Sequence, residues 1–285
     1  MKRSMAFVGF FLLGIVVLGC SSFMVNTDRV WIGSNFDYPN ELEYRVAFFA
    51  SQMGHAYFAI QFSRLGNLYY TALGMNDQGY FANLQNVPTR VLENMVPGKE
   101  NLPIQDFLLY QLSFFSEVSQ TREALEEYRL VNFPGYASHT MAVDAKGDAL
   151  IVEPGFEDNQ FFRFEGDYWL MTNFYMADLA RDRLYYQYDR RFNNMEKKIQ
   201  EYKEEMDLEK AFAILSAAFQ FETQISSVYD PQSGEVFFAL HRNLDKIFKL
   251  RLQDGTLQTF QGFRTQREIT LSSSGITFDE LESWE

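Results

Sequence analysis

The sequence predicts an α+β domain in which helices pack on antiparallel β-sheet. Two observations support this prediction: turn-rich segments separate pairs of β-prone runs at three places, and helix-like stretches lie between those places. The order along the chain is strands, helices, strands, helices, strands. Because short turns rather than crossover helices join the paired runs, antiparallel pairing is expected.

Three hairpins are predicted from turn residues flanked by β-prone residues. The turns are Asn26-Thr27-Asp28, residues 144–148 and residues 230–234. The flanking strands are predicted at 23–25 and 30–33, at 139–143 and 149–152, and at 225–229 and 236–240. The first of these strands begins close to Cys20.

Four helices are predicted from apolar residues that recur at helical spacing. Two short helices are expected at 104–115 and 122–128, a long charged helix at 178–206, and another at 208–221. The apolar positions of the long helix are Leu184, Tyr188, Phe192, Met195, Ile199 and Tyr202. Neither a linker nor a repeat interrupts the chain, so residues 20–285 are predicted to form one domain.

Composition and charge exclude some classes of function. The chain has 285 residues, of which 47% are hydrophobic, enough for a large core, and its formal net charge is −13. Removing residues 1–19 takes away Lys2 and Arg3, which leaves 23 basic against 38 acidic residues and a charge of −15. Such an acidic surface argues against a nucleic-acid partner.

The first nineteen residues have the pattern of a signal peptide. Lys2 and Arg3 form a basic start, and the almost wholly apolar run from Ala6 to Leu18 is too short for a comfortable membrane span. We therefore expect residues 1–19 to be removed and the protein to be exported, whether periplasmic, secreted or anchored to the envelope.

Cys20, the only cysteine, follows this leader directly. A cysteine that proteolysis makes the first residue carries its own general base, because an α-amino group has a pKa of about 8 and can take the thiol proton. The sequence contains no Gly-x-Ser-x-Gly, His-Glu-x-x-His or phosphate-loop motif. Its three histidines show no ligand spacing, so neither a metal nor an organic cofactor is expected.

Four segments resemble, in order, the choloylglycine hydrolase and penicillin V acylase family. Cys20-Ser21-Ser22-Phe23 with residues 31–38 resembles the start of these enzymes, where a catalytic cysteine precedes a Gly-Arg-Asn-x-Asp-Trp pattern. Residues 74–88 resemble the Gly-Met-Asn-x-x-Gly and Asn-x-Pro segment of the family. Residues 139–154 resemble its His, Asp, Gly and Glu-Pro hairpin, and residues 170–173 its Leu-Thr-Asn.

The resemblance implies an αββα sandwich of the N-terminal-nucleophile hydrolases and hydrolysis of a small N-acyl substrate at a non-peptide linear amide. Cys20 would be the nucleophile and, through its amine, the base, while Asp37 would hold that amine. Asn173 and Asn86 would receive the oxyanion, Asn86 by its backbone N–H or its side chain. Arg191 most resembles the arginine that lies near the thiol in the family, and its neighbour Arg190 stays open as the alternative assignment.

The chain also departs from the family pattern. Ser34 stands where bile salt hydrolases carry an arginine, and the connection from Asn173 to Arg190 lacks a long insertion that those enzymes use in tetramer assembly. These departures count against bile salts as substrate and against a tetramer, so the substrate class is kept broad and the oligomeric state stays open. Related acyltransferases tolerate variation at both places, so the resemblance leaves acyl transfer open.

Several residues have simpler explanations. Val17-Leu18-Gly19-Cys20 resembles a bacterial lipobox, in which a lipid on Cys20 would tether a non-catalytic lipoprotein to the membrane. The four ordered segments favour a nucleophile over this alternative. Asp37 and Asn86 are also compatible with turns, Asn173 with a helix cap and Arg191 with a solvated helix face.

Overall fold

The computed structural model describes residues 19–65, 68–89, 98–133, 136–155, 157–163, 166–181 and 189–284. Most of the predicted signal peptide, residues 1–18, lies outside the described residues. The strands are β1 (Ser21–Asn26), β2 (Val30–Asp37), β3 (Glu43–Phe49), β4 (Tyr57–Leu65), β5 (Leu68–Asn76), β6 (Phe81–Asn83), β7 (Gln85–Val87), β8 (Glu100–Pro103), β9 (Tyr128–Val131), β10 (Ala137–Val143), β11 (Ala149–Pro154), β12 (Asn159–Phe162), β13 (Tyr168–Met171), β14 (Thr223–Asp230), β15 (Glu235–Leu240), β16 (Ile247–Arg251), β17 (Thr256–Gln261), β18 (Glu268–Thr270) and β19 (Ile276–Thr277). The helices are α1 (Ile104–Phe114), α2 (Val118–Glu127), α3 (Met176–Arg181), α4 (Arg190–Tyr202), α5 (Leu208–Ser216) and α6 (Phe278–Glu282).

Two antiparallel sheets contain most of these strands. The first sheet has the order β13-β1-β2-β14-β15-β16-β17-β18. The second has the order β12-β11-β10-β6-β5-β4-β3-β19, and β7 also pairs with β10. The three predicted hairpins are confirmed as β1–β2, β10–β11 and β14–β15. The strongly antiparallel pairing follows from these short turns.

The two sheets pack face to face between two layers of helices. Aromatic rings meet across the sheets, with centroids 6.2 Å apart for Phe58 and Phe238 and 4.8 Å apart for Phe81 and Tyr229. α1 and α2 cover the other face of the second sheet, where Ala82, the neighbour of Phe81, joins their apolar cluster. α4 and α5 pack on the first sheet. The predicted αββα sandwich is thereby confirmed.

Helix ends differ from the predicted ones where polar side chains set them. α1 is close to its predicted bounds, but α2 begins at Val118 because Glu117 and Gln120 form a capping box there. α5 ends at Ser216, and the chain then turns so that Gln220 N donates to the hydroxyl of Thr223 at 2.9 Å. This early end brings residues 220–223 to the end of β2.

The single helix predicted at 178–206 is wrong. α3 ends at Arg181, and α4 begins only at Arg190; residues 182–188, with the predicted apolar positions 184 and 188, lie outside the described residues. Asp189 has an extended backbone, and its carboxylate accepts from the N–H groups of Arg191 and Phe192. It is therefore a helix N-cap, which apolar periodicity alone does not reveal.

Candidate active site

Cys20 lies directly before β1, and the neighbours of β1 bring the other site residues to it. Ser21 is opposite Asn35 of β2, and Ser22 is opposite Met171 of β13. The end of β2 and the residues that follow β13 are therefore next to the start of β1. This register explains how Asp37 and Asn173, far apart in sequence, reach Cys20.

Asp37, the last residue of β2, is buried and held by two side chains. Its Oδ1 accepts from Thr223 Oγ1 at 2.6 Å, and its Oδ2 accepts from Gln220 Nε2 at 2.7 Å. Burial raises the pKa of Asp37 to about 6, although these two hydrogen bonds and Arg191 act in the opposite direction. Gln220 Nε2 also donates to the carbonyl oxygen of Gly19 at 2.8 Å, which places Asp37 beside the Gly19–Cys20 junction.

Sequence reasoning missed Gln220 and Thr223. Gln220 is the next-to-last residue of the helix predicted at 208–221, Thr223 lies in no predicted element, and neither belongs to a motif. Their position depends on the early end of α5, which has no signal in the local sequence.

Arg191 connects the junction to the loop after β13. Its Nη1 donates to the carbonyl oxygens of Gly19 and, at 3.3 Å, of Cys20, and to Asn173 Oδ1 at 2.9 Å. Its Nη2 lies 3.1 Å from Asp189 Oδ2 in a salt bridge that fixes the guanidinium. The neighbouring Arg190 is exposed. The structure thus brings Arg191, and not Arg190, to Cys20.

The orientation of the Asn173 side chain is fixed by its partners. Its oxygen faces the guanidinium of Arg191, so its Nδ2 carries the hydrogens that face the carbonyl oxygen of Asn86, at 2.6 Å. Asn173 therefore caps no helix; Glu153 accepts from the first N–H groups of α3 instead. One Nδ2 hydrogen contacts Asn86, and the second is available to an oxyanion.

Asn86 lies in β7, opposite Ser138 of β10. Its carbonyl oxygen accepts from Asn173, and its side-chain oxygen accepts from Ser138 Oγ at 3.3 Å. The structure brings Cys20, Asp37, Asn86, Asn173 and Arg191 together in one connected group, as the predicted site requires.

The pKa of the Cys20 thiol is raised while Gly19 is attached. Burial, followed by the charge of Asp37, raises the pKa of Cys20 to about 12, against the smaller opposing effects of the Asp37 backbone and of Arg191. The thiol is therefore protonated at neutral pH in the uncleaved chain. A nearby base is needed to form the thiolate.

A buried polar network joins the two sheets next to the nucleophile. Ser22 Oγ accepts from Asn83 Nδ2 at 2.9 Å and from Gln85 Nε2 at 2.6 Å, and it lies 2.9 Å from Ser34 Oγ. With both lone pairs of Ser22 occupied, its own hydrogen is directed at Ser34. Ser34 thus supports the interior of the sandwich.

An apolar cavity of about 320 Å³ begins at Asn86. Its described lining contains no charged side chain and is rich in aromatic rings. The lining residues are Tyr38, Phe62, Tyr70, Leu84, Asn86, Ile104, Gln105, Asn132, Phe133, Tyr136 and Ser138. Such a cavity suits an apolar or aromatic group bound next to Asn86.

Neither a metal-binding cluster nor a membrane-spanning helix is found in the described part of the chain. No group of three or more His, Cys, Asp or Glu side chains there is arranged to hold a metal ion. No helix among the same residues is both long and apolar enough to span a membrane.

Comparisons with known proteins agree with this arrangement. No family model matches the chain. A segment of 88 residues is 34% identical to the bile salt hydrolase/transferase of Clostridium perfringens (strain 13 / Type A), covering 28% of this chain and 27% of that protein. The match therefore spans less than a third of the length of this relative.

Two solved structures match nearly the whole fold. A variant of the conjugated bile acid hydrolase from Clostridium perfringens has a TM-score of 0.66 at 17% identity and covers 89% of this chain and 98% of that chain. Penicillin V acylase from Agrobacterium tumefaciens has a TM-score of 0.63 at 16% identity, and the match covers 90% of this chain and 100% of that chain. The chain has the fold of these two enzymes, and it resembles the bile salt hydrolase/transferase in sequence over the 88-residue segment.

Proposed function

We propose that this protein is an exported hydrolase that cleaves a non-peptide linear amide with Cys20 as N-terminal nucleophile. The observation that carries the proposal is the convergence on the Gly19–Cys20 junction. Arg191 donates to the carbonyls of the junction and also to the side-chain oxygen of Asn173. Gln220 donates both to the Gly19 carbonyl and to the Asp37 carboxylate. A buried charged and polar cluster around a chain junction fits catalysis better than a structural role.

Cleavage after Gly19 supplies the missing base. It converts the Cys20 amide nitrogen into an α-amine, whose ordinary pKa is about 8, next to the thiol and to Asp37. The amine takes the thiol proton, directly or through a water, and Asp37 stabilises the resulting ammonium. The positive charges of the ammonium and of Arg191 then favour the thiolate over the thiol.

The thiolate attacks the carbonyl carbon of the substrate amide. Asn173 Nδ2 donates to the oxyanion that forms, and Asn86 lies beside this oxyanion. Collapse of the tetrahedral intermediate breaks the C–N bond, and the ammonium of Cys20 gives its proton to the departing amine. A water molecule then attacks the thioester with the same amine as base and releases the carboxylic acid.

The cavity at Asn86 suggests the class of substrate. Its uncharged, aromatic lining fits an apolar or aromatic acyl group, so the acyl part would lie there and the amine part would point away from it. The likeness to bile salt and penicillin V enzymes is compatible with such an N-acyl amide. Ser34, buried and bonded to Ser22, offers no substitute for the arginine of bile salt hydrolases.

Acyl transfer is the second candidate, and it is supported by the relative named as a hydrolase/transferase. It differs only in the last step, in which an amine rather than water resolves the thioester. A lipidated Cys20 is the third candidate. The burial of Cys20, a residue that is 6% exposed, argues against it, because a diacylglyceryl group on its sulfur requires the start of β1 to leave the site.

Intact-mass spectrometry of the natively exported protein tests the first step. We expect a chain that begins at Cys20 with no adduct, which also tests the predicted signal peptide and export. A diacylglyceryl mass on Cys20 would establish the lipoprotein and overturn the proposal.

Turnover of a panel of N-acyl amino acids, penicillin V, N-acyl homoserine lactones and bile salts tests the chemistry. We expect the wild type to form a thioester adduct that mass spectrometry detects, and Cys20→Ser and Cys20→Ala to abolish turnover. Unchanged turnover by either variant rules out the mechanism. Adding a primary amine separates the two enzymatic candidates, because a transferase forms the new amide in preference to the free acid.

A further inference from the structure

His139 of β10 and Glu153 of β11 form a buried pair for which the mechanism above has no role. Both side chains are fully buried, and His139 Nδ1 lies 3.0 Å from Glu153 Oε1. Neither lines the apolar cavity, and neither contacts Cys20 in the described structure. A buried pair of this kind needs further partners to offset its loss of hydration.

The partners determine where the protons of the pair lie. His139 Nε2 is 3.1 Å from the carbonyl oxygen of Thr172, which can only accept, so Nε2 carries a hydrogen. The Glu153 carboxylate accepts from the N–H of Met176 at 2.5 Å and from that of Ala177 at 3.2 Å. One further proton lies between Nδ1 and Oε1. The imidazole ring therefore has a single orientation that satisfies both of its nitrogens.

These contacts hold both ends of a short segment. His139 holds the carbonyl of Thr172, and Glu153 holds the N–H groups at Met176 and Ala177. Asn173 lies between these anchors. The hydroxyl of Thr172 also donates to Asp189 at 2.7 Å, so the segment has a third attachment on the side of Arg191.

We propose that His139 and Glu153 are positioning residues that fix the segment 172–177 so that Asn173 Nδ2 faces the oxyanion. The inference rests on the proposed function, because Asn173 is the oxyanion donor there. Its physical basis is the short reach of a hydrogen bond: a displacement of about 1 Å at a catalytic group can cost about 10²-fold in rate. The anchors at Thr172 and Met176 set the backbone of Asn173 from the side of the second sheet, where Asn86 of β7 contacts its side chain.

A double-mutant cycle tests this role. We expect His139→Phe to lower kcat by about 10²-fold while KM stays within about threefold, since the segment is displaced but the acyl cavity is intact. In an Asn173→Ala background, His139→Phe should lower kcat further by less than about threefold, because the group that His139 positions is gone. A full additional loss in that background overturns the proposal.

Three further variants control the cycle. Glu153→Gln keeps the size of the side chain and should also lower kcat. It replaces His139→Phe in the cycle if that variant fails to fold. His139→Gln retains an N–H that can reach Thr172 and should recover part of the activity. His55→Phe removes a histidine that pairs with Asp77 at 3.4 Å, away from Cys20, and should leave kcat unchanged.

A measurement without substrate separates this proposal from the proposed function. In protein labelled with ¹⁵N at asparagine, the Asn173 side-chain amide, identified by its loss in Asn173→Ala, should exchange slowly because it is bonded to Asn86. We expect His139→Phe to shift this signal and speed its exchange, and His55→Phe to leave it unchanged. An unaltered signal in His139→Phe refutes the positioning role even if no substrate of the wild type is found.

Discussion

Arg191 Nη1 lies 2.9 Å from Asn173 Oδ1, so the guanidinium that binds the Cys20 backbone also sets the direction of the Asn173 amide. One planar group thereby positions both the proposed nucleophile and the proposed oxyanion donor. Its fork geometry matters as much as its charge, because a second nitrogen is needed for Asp189.

Arg191→Lys is expected to lower kcat/KM by roughly 10- to 100-fold, because an ammonium group cannot bind Asp189, Asn173 and the Cys20 carbonyl at once. Steady-state kinetics measure the loss. The matched control is Arg190→Ala, which removes the exposed neighbouring arginine and should leave kcat/KM unchanged. Equal losses in the two variants would contradict the assignment of Arg191.

Asp37 should destabilise the uncleaved chain as pH rises. Its pKa is raised from 3.8 to about 6, so between these values the folded state holds a proton that the unfolded state has lost. Stability contributed by the protonated form is present below pH ~4 and is lost as pH rises through ~6. The loss reaches about 3 kcal/mol, from two pKa units at about 1.4 kcal/mol each.

The variant Asp37→Asn removes this pH dependence. In the uncleaved chain, produced without export, urea unfolding should show Asp37→Asn to be more stable than wild type at pH 7.5 by up to about 3 kcal/mol, with little difference at pH 4. In the cleaved protein the same variant should lose activity, since nothing then holds the ammonium. A stability difference that is equal at both pH values would refute the burial argument.

Asn76, within the segment that resembles the family, is predicted to stabilise the fold and to have no catalytic role. Its Nδ2 donates to the carbonyls of Leu112 and Phe115, and its Oδ1 accepts from the N–H groups of Gln78 and Tyr80. Asn76→Ala leaves four backbone groups without this partner and should lower the free energy of unfolding by about 3–5 kcal/mol.

Chemical denaturation measures this cost. The control Gln78→Ala, at an exposed position in the same turn, should change stability by no more than about 0.5 kcal/mol. Turnover per folded molecule should be the same in Asn76→Ala as in wild type. A specific loss of kcat without loss of stability would instead assign Asn76 to the active site.

Gly19 is predicted to be required for the buried state of the uncleaved junction. A Cβ built on Gly19 would lie 1.9 Å from Asn173 Oδ1 and 2.6 Å from Arg191 Nη1. Gly19→Ala should therefore displace the junction and expose the thiol of Cys20. Alkylation of this sole cysteine by iodoacetamide, followed by mass spectrometry in the uncleaved chain, should be several-fold faster than in wild type.

The matched control for this test is Gly98→Ala, which strains the left-handed backbone of that residue (φ 83°) but adds a Cβ that meets no atom within 4 Å. Its alkylation rate should equal that of wild type. If Gly19→Ala also alkylates at the wild-type rate, the junction does not depend on the absence of a side chain at residue 19.

Local turn chemistry made the hairpins predictable. Asn26-Thr27-Asp28 and the other two turns fix where one strand ends and the next begins, and this information lies within a few residues. The break at Asp189 was not predictable in the same way. Its charged surroundings continue the helical pattern on both sides, and only the hydrogen bonds to Arg191 and Phe192 identify it as a cap.

In the candidate site too, some features follow from local sequence and others only from tertiary contacts. Cys20, Asp37, Asn86, Asn173 and Arg191 were found because each belongs to an ordered motif. The contacts among them were not predictable. The motif indicated the backbone N–H or the side chain of Asn86 as the functional group, whereas Asn173 contacts the carbonyl oxygen of Asn86. Gln220 and Thr223 reach Asp37 only after the first sheet and α5 have packed, so their place is a property of the tertiary structure.

The cap at Asp189 determines which of two adjacent arginines points toward Cys20. Successive residues of an α-helix point about 100° apart, so a helix that began one residue earlier or later would rotate a different side chain toward Cys20. By accepting from the backbone of Arg191 and binding its guanidinium, Asp189 sets both the start of α4 and its rotation. An acidic side chain that contacts no reacting atom thus decides which cation the active site receives.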